Sequence, residues 1–223
     1  MKKTNKGFGT NFHRVYKEDA ELYHAFSGAE VFSPELEKKI NDLLIGKTLL
    51  DVACGTCHKT NAYSKYFEKV FALDFSHLLL DSARNRYSNN KKLNFIWSSA
   101  AKIPLLDESV DTILVTWGSF PLTKGIMEMQ RVLKKGGRII RIGACKEDEF
   151  TTLFPLFSSK RITTINNTFE KFGFMVEQQK VAIEFKSIKE ARDILSRITG
   201  VSEKRINQSK FEHAVALCYY TKK

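Results

Sequence analysis

The stretch TLLDVACGTCHKT, residues 48–60, constrains the fold more than any other part of the chain. Residues 48–52 form a short apolar, β-prone run that meets a cluster of small residues, Ala53, Cys54, Gly55 and Thr56, and then passes into a polar, helix-compatible segment. That succession reads as strand, turn and helix. Small residues in such a turn let a ligand approach the backbone, and the free N–H groups of the following helix suit polar or negative groups.

Four ligands compete for this turn. A phosphate-cradling loop needs two glycines ahead of Lys-Thr; Lys59 and Thr60 are in place, but Ala53 and His58 stand where the glycines belong. Of the three glycines in a dinucleotide fingerprint only Gly55 is present. Cys54, Cys57 and His58 complete the string C-x-x-C-H of covalent haem attachment. It lies between an apolar strand and a helix, and no export signal precedes it. A thioredoxin-like or metal-binding use of the cysteine pair finds no further cysteine cluster, so no metal is expected. The fourth ligand accounts for more residues: Asp51 lies just ahead of Gly55, and about 20 residues further a second apolar run, 70–73, ends in Asp74, the acidic position that grips a ribose in a Rossmann-like half.

The 223 residues suit one domain, 1–223, with a full core. The N-terminus MKKTNKGFGTNFHR has no apolar stretch behind its lysines, so neither a signal peptide nor a membrane span is expected, and the scattered cysteines are expected to be reduced in a cytoplasmic protein. A formal net charge of +11 opens the possibility of an anionic or nucleic-acid partner, RNA included. The basic residues are spread along the whole chain without an aromatic-interleaved block, which favours an ordinary solvated surface.

From the start, residues 1–33 read as a mobile arm and an amphipathic helix carrying Tyr16, Tyr23, His24 and Phe26, which either cover a site or pack on the sheet edge. Ser33-Pro34-Glu35 starts a helix that Gly46 stops. The pattern then alternates as a parallel sheet wrapped by helices does: a strand to Asp74, a helix from Ser76 to about 87, strands over 93–97 and 110–116, a helix over 123–133 closed by Lys134, Lys135 and two glycines, and a strand over 138–142. A polar turn over 146–149, helical stretches to Phe172 and a β-prone run over 174–185 follow. A helical insert over about 187–208 then precedes a last strand over 214–220.

DVACGTC, FALDFS and RVLKKGGRIIRIG resemble the motifs of the class I S-adenosylmethionine-dependent methyltransferases of the small-molecule type. The resemblance implies an α/β, Rossmann-like, seven-stranded and mostly parallel sheet, helices on both faces, and an antiparallel last strand between the fifth and sixth. It implies S-adenosyl-L-methionine as cofactor, held by Asp51, Ala53, Gly55 and Cys57 of the opening turn and by Asp74, with Phe75 beside it, at the ribose. SSAAKIPL resembles the segment that meets the adenine, through Ser99 and the backbone of Ala100, and Thr116 and Trp117 should face the methionine end, unless Trp117 is core. Tyr16, Tyr23 and Phe26 become lid candidates, and with the insert they would wall the pocket.

The chain departs from the family at three positions. Ala53 stands for a glycine, tolerable if its dihedrals are ordinary; Cys57 stands for another and could crowd the methionine moiety; Ser99 replaces an aspartate, at a cost of about 1 kcal/mol. They leave a working enzyme or a cofactor-binding module without turnover. The Asp/Asn-Pro-Pro-aromatic motif of amino-methylating nucleic-acid enzymes is missing, as is the Pro-Cys nucleophile of cytosine C5 enzymes. A small-molecule acceptor is therefore expected ahead of RNA. A sulfonium methyl is already activated, so holding nucleophile and methyl together is most of the task. Where a base helps, His24, His13, Glu18 and Lys146 are candidates.

Overall fold

A computed structural model of the chain describes residues 9–153 and 158–223, the side chains of residues 9–13 excepted. The first eight residues of the expected arm, and the His13 side chain, lie outside the described residues.

Asp19 divides the N-terminal amphipathic stretch into α1 (Gly9–Glu18) and α2 (Ala20–Gly28), its carboxylate capping α2 by accepting from the Leu22 N–H at 2.9 Å. After β1 (Glu30–Phe32), α3 (Pro34–Leu43) opens on Ser33, whose Oγ accepts from the Leu36 N–H, with Pro34 at the first helical position. Alternation follows: β2 (Thr48–Val52), α4 (His58–Tyr63), β3 (Lys69–Asp74), α5 (His77–Arg86), β4 (Leu93–Trp97), β5 (Val110–Thr116), α6 (Leu122–Val132) and β6 (Leu133–Ala144). The chain closes with α7 (Ser159–Lys171), β7 (Met175–Glu184), α8 (Ile188–Thr199) and β8 (Lys210–Thr221).

The strands form one sheet in the order β1-β7-β8-β6-β5-β2-β3-β4. β4, β3, β2, β5 and β6 are parallel neighbours, and β8 runs antiparallel between β6 and β7, the place expected for the last strand. From β2 the chain moves outward to β3 and β4, then returns to the opposite side for β5 and β6. The crevice beyond the carboxyl ends of β2 and β5 is therefore the switch point where open α/β sheets bind ligands.

The sheet departs from the sequence expectation in three places. An eighth strand, β1, pairs antiparallel with β7 where an arm and helix were expected to run to residue 33. Three residues, Glu-Val-Phe, are too short to show alternation, and only the edge of β7 makes them a strand. α6 ends at Val132, and β6 pairs Leu133 with Val110 before resuming at Arg138 opposite Thr112. Lys134 thus leaves the helix end and pairs with Asp111 at 2.8 Å. Finally, β8 begins at Lys210, four residues before the expected start, which takes His213 into the sheet.

Alternate residues of the strands feed opposite layers. Leu50, Ile113, Val115, Ile139 and Ala216 pack with Ile126, Met129 and Val132 of α6 and Phe169 of α7. Leu49, Leu114, Ile140, Val215 and Leu217 pack with Leu36 and Ile40 of α3. A third cluster joins α8 to Val15, Leu22 and Tyr23 of α1 and α2 and to Ile183 of β7. Among the described residues no helix is long and apolar enough to cross a membrane.

Candidate active site

Between β2 and α4 the backbone is left-handed three times, at Ala53 (φ 61°), Gly55 (φ 56°) and Cys57 (φ 60°). Gly55 also has no room for a side chain: a Cβ there would lie 2.6 Å from Tyr23 Cε1. The dihedrals of Ala53 are therefore not ordinary, and the left-handed conformation costs an alanine about 1–2 kcal/mol. Cys57 bears the same strain, but its thiol leaves the cleft and is buried against Ala72, Leu80 and Ala83, so the expected crowding does not arise.

The end of β3 fixes this shape. The Cys54 N–H donates to Leu73 O at 3.0 Å, the Gly55 N–H to Asp74 Oδ2 at 2.8 Å, and the Ser76 N–H to Asp74 Oδ1 at 2.8 Å. Burial raises the Asp74 carboxyl against these backbone donors. Burial also pushes Asp51 up to about 7, with the nearby Asp74 charge adding to it and the Thr60 hydroxyl, donating to Oδ2 at 2.5 Å, opposing it. Asp51 Oδ1 is buried without a hydrogen-bond partner.

α1 and α2 lie over the turn. The Tyr16 hydroxyl donates to the Tyr23 hydroxyl at 3.1 Å, the Tyr16 ring stacks parallel to Phe75 at 6.0 Å, and the Ser76 hydroxyl donates to Tyr16 O at 2.8 Å. Beneath them Asp74 is fully buried. Ser98 N–H bonds to Asp74 O, so the Ser99–Ala100 segment adjoins β3; the Ser99 hydroxyl accepts from the Ala101 N–H. Neither Ser99 nor Ala100 lines the adjoining cavity.

That cavity, of about 450 Å³, opens from Ala53, Cys54 and Phe75 past Thr116 and Trp117 toward β6, β8 and α7. Tyr16, Tyr23 and Phe26 line it from above, Phe120, Phe150 and Phe169 from the far side. Trp117 lines it in a left-handed conformation (φ 56°) that a bulky residue keeps only under constraint. Its Nε1–H donates to Glu30 Oε1 at 2.7 Å, and its ring stacks on His213 at 5.2 Å. Glu30 in turn pairs with Lys59 at 3.6 Å, and the Lys59 ammonium lies over the Phe32 ring. The lysine that suited a phosphate loop is thus committed to an internal ion pair.

Comparison with known proteins agrees with this geometry. A family described as "Methyltransferase domain" matches residues 50–141, from within β2 to β6. A demethylmenaquinone methyltransferase of Clavibacter sepedonicus is 34% identical over 98 residues, 43% of this chain and 40% of that protein. One from Staphylococcus aureus is 25% identical over 192 residues, 81% of this chain and 78% of that protein. In fold, an S-adenosylmethionine-dependent methyltransferase of Aquifex aeolicus superposes with a TM-score of 0.57 at 21% identity, covering 94% and 97% of the two chains. Over residues 50–141 the chain is similar to methyltransferases, and it shares the fold of S-adenosylmethionine-dependent methyltransferases.

Of the bases proposed from the sequence, His24, Glu18 and Lys146 do not line the cavity. His24 Nδ1 lies 2.9 Å from the Thr56 hydroxyl, and burial lowers its pKa to about 4; Glu18 is an exposed partner of Arg14, and Lys146 is exposed. Instead, the site presents a pair that the sequence reading passed over. His213, a lining residue of the cavity, places Nδ1 2.7 Å from Asp148 Oδ2, while its Nε2 is buried without a hydrogen-bond partner. Burial would raise the Asp148 carboxyl, but the imidazole and the N–H groups of Ala214 and Thr151 outweigh it and hold the group at about 2.

Arg141 was also missed. Gly143 leaves space for its guanidinium along β6, since a Cβ there would lie 2.2 Å from Nη2. The guanidinium donates to Asn166 Oδ1 and stacks on Phe169 within the cavity wall, and no carboxylate pairs with it among the described residues. A single histidine ahead of an apolar strand, and an arginine inside one, were the signals available in EHAVALCYY and RIIRIG.

Proposed function

We propose that the enzyme transfers the methyl group of S-adenosylmethionine to a small, planar, largely apolar acceptor that bears an acidic group and lies in front of Trp117. The observation that carries this is the cavity: it begins at the Ala53–Cys54 turn and continues without a break into a space walled by aromatic rings. The buried Arg141, unmatched by any carboxylate among the described residues, suits an acidic group on the acceptor. The names of the demethylmenaquinone methyltransferase relatives favour an aromatic, quinone-like acceptor.

The opening turn fits the cofactor. Gly55 admits no side chain, and Asp51 keeps an unsatisfied buried oxygen. Asp74 would hold the ribose hydroxyls, Ser99 and Ala100 the adenine, and Ala53, Gly55, Thr116 and Trp117 the methionine end. When bound, the cofactor supplies a sulfonium methyl open to in-line displacement. The protein's own part is to orient the acceptor, with Trp117 fixed by Glu30, and to keep water out with Tyr16, Tyr23 and Phe26. The four cysteines are free thiols, which supports a cytoplasmic setting.

Incubation with methyl-labelled S-adenosylmethionine and a deproteinised small-molecule extract, or a short-chain demethylmenaquinol, should place label in the small-molecule fraction. Label transferred only to added RNA, or no transfer while the cofactor binds, would overturn the reading.

A further inference from the structure

Among the described residues two buried side-chain polar atoms have no hydrogen-bond partner, Asp51 Oδ1 and His213 Nε2. His213 stands on β8 opposite Val181 of β7, with its side chain fully buried. Trp117 stacks on one side of the ring and Phe150 packs at 5.2 Å on another. Nδ1 meets the Asp148 carboxylate, which is itself fixed by the Ala214 N–H at 2.8 Å and, through its other oxygen, by the Thr151 N–H at 2.9 Å. A carboxylate held at two points accepts from Nδ1–H and so leaves the lone pair on Nε2. Burying that lone pair unpaired costs about 1–3 kcal/mol, a cost that a proton donor in the cavity would remove.

On the proposed function above, we infer that His213 is the general base of methyl transfer, positioned by Asp148, and that the acceptor presents a phenolic or enolic hydroxyl to Nε2. The O–H proton passes to Nε2, giving an imidazolium held by the Asp148 carboxylate. The freed electron pair forms the bond to the methyl carbon as the sulfur–methyl bond breaks, and the sulfur keeps that bond's pair, leaving S-adenosylhomocysteine. An imidazole, with an ordinary pKa of about 6.5, matches a phenol or enol at neutral pH far better than an alkyl alcohol. The Asp148 carboxylate meets Nδ1 directly, and Glu30, paired with Lys59, holds the Trp117 ring that stacks on the imidazole.

The test uses the full chain with His213→Gln and Asp148→Asn, each first checked for unchanged S-adenosylhomocysteine binding. Nitrogen-15 spectra of the histidine side chains of the S-adenosylhomocysteine-bound wild type should show His213 protonated at Nδ1 and not at Nε2 near neutral pH. In Asp148→Asn the two tautomers should mix. With S-adenosylmethionine and a panel of phenols (4-nitrophenol, catechol, 1,4-dihydroxynaphthalene), His213→Gln should lower turnover by about 100-fold or more, and Asp148→Asn should lower kcat by about tenfold with KM little changed. A proton on Nε2 in the wild type, or equal turnover by His213→Gln and wild type, would overturn the base. A cofactor-bound wild type that methylates none of the phenols would overturn the acceptor class, whereas failure to bind the cofactor would strike the proposed function instead.

Discussion

The Trp117 indole N–H donates to Glu30 Oε1 across 2.7 Å, joining the carboxyl end of β5 to an edge strand that the chain lays down 87 residues earlier. The bond ties down the left-handed Trp117, which lines the same cavity as the turn after β2, with burial raising the Glu30 carboxyl and Lys59 offsetting it. Glu30→Ala should free the ring and leave the Lys59 ammonium unpaired in a largely enclosed place, destabilising the fold by about 3 kcal/mol, with Glu30→Gln costing less. Denaturant midpoints measure the loss, and tryptophan fluorescence reports the ring.

Ala53→Gly should stabilise the protein. The substitution releases a left-handed alanine worth about 1–2 kcal/mol, and the extra freedom of glycine in the unfolded chain takes back about 0.5–1. A rise in Tm of about 2 °C is expected by calorimetry.

Asp51 gives the stability a pH dependence of defined sign. Its folded carboxyl is at about 7, above the ordinary value of 3.8, so the folded state holds a proton that the unfolded chain gives up. Its contribution is complete below the unfolded pKa and is lost as pH rises through the folded one. Asp51→Asn should therefore be more stable than the parent at about pH 8, the difference shrinking toward about pH 4 in denaturant midpoints.

Arg141→Met keeps the packing on Phe169 and removes the charge. The KM for an acidic acceptor should rise about tenfold or more, the loss of one charge-assisted hydrogen bond, with S-adenosylmethionine affinity unchanged. An unchanged KM would place the acceptor's acidic group elsewhere.

The parallel half of the sheet was legible in the sequence because each of its strands is a short apolar run bounded by turn residues, and Asp51, Gly55 and Asp74 mark the ends of two of them. The acceptor half was less so. β1 exists only because the edge of β7 pairs with it. Asp148 looked like one more polar residue of a turn, and His213 lay just outside the apolar core of the last strand. Their relationship spans 65 residues and arises only when β8 inserts beside β6. The strain at Ala53 was equally hidden, since a small residue in a turn does not announce the sign of its φ.

Asp74 pins Gly55 and lies beneath Tyr16 and Tyr23, where the ribose is proposed to bind. Titration calorimetry of wild type and Asp74→Ala with S-adenosylmethionine and S-adenosylhomocysteine tests that proposal most directly. The account predicts binding of both by the wild type and a loss of about 1–3 kcal/mol in the variant. No heat with either ligand, or equal affinity in the two proteins, would contradict it.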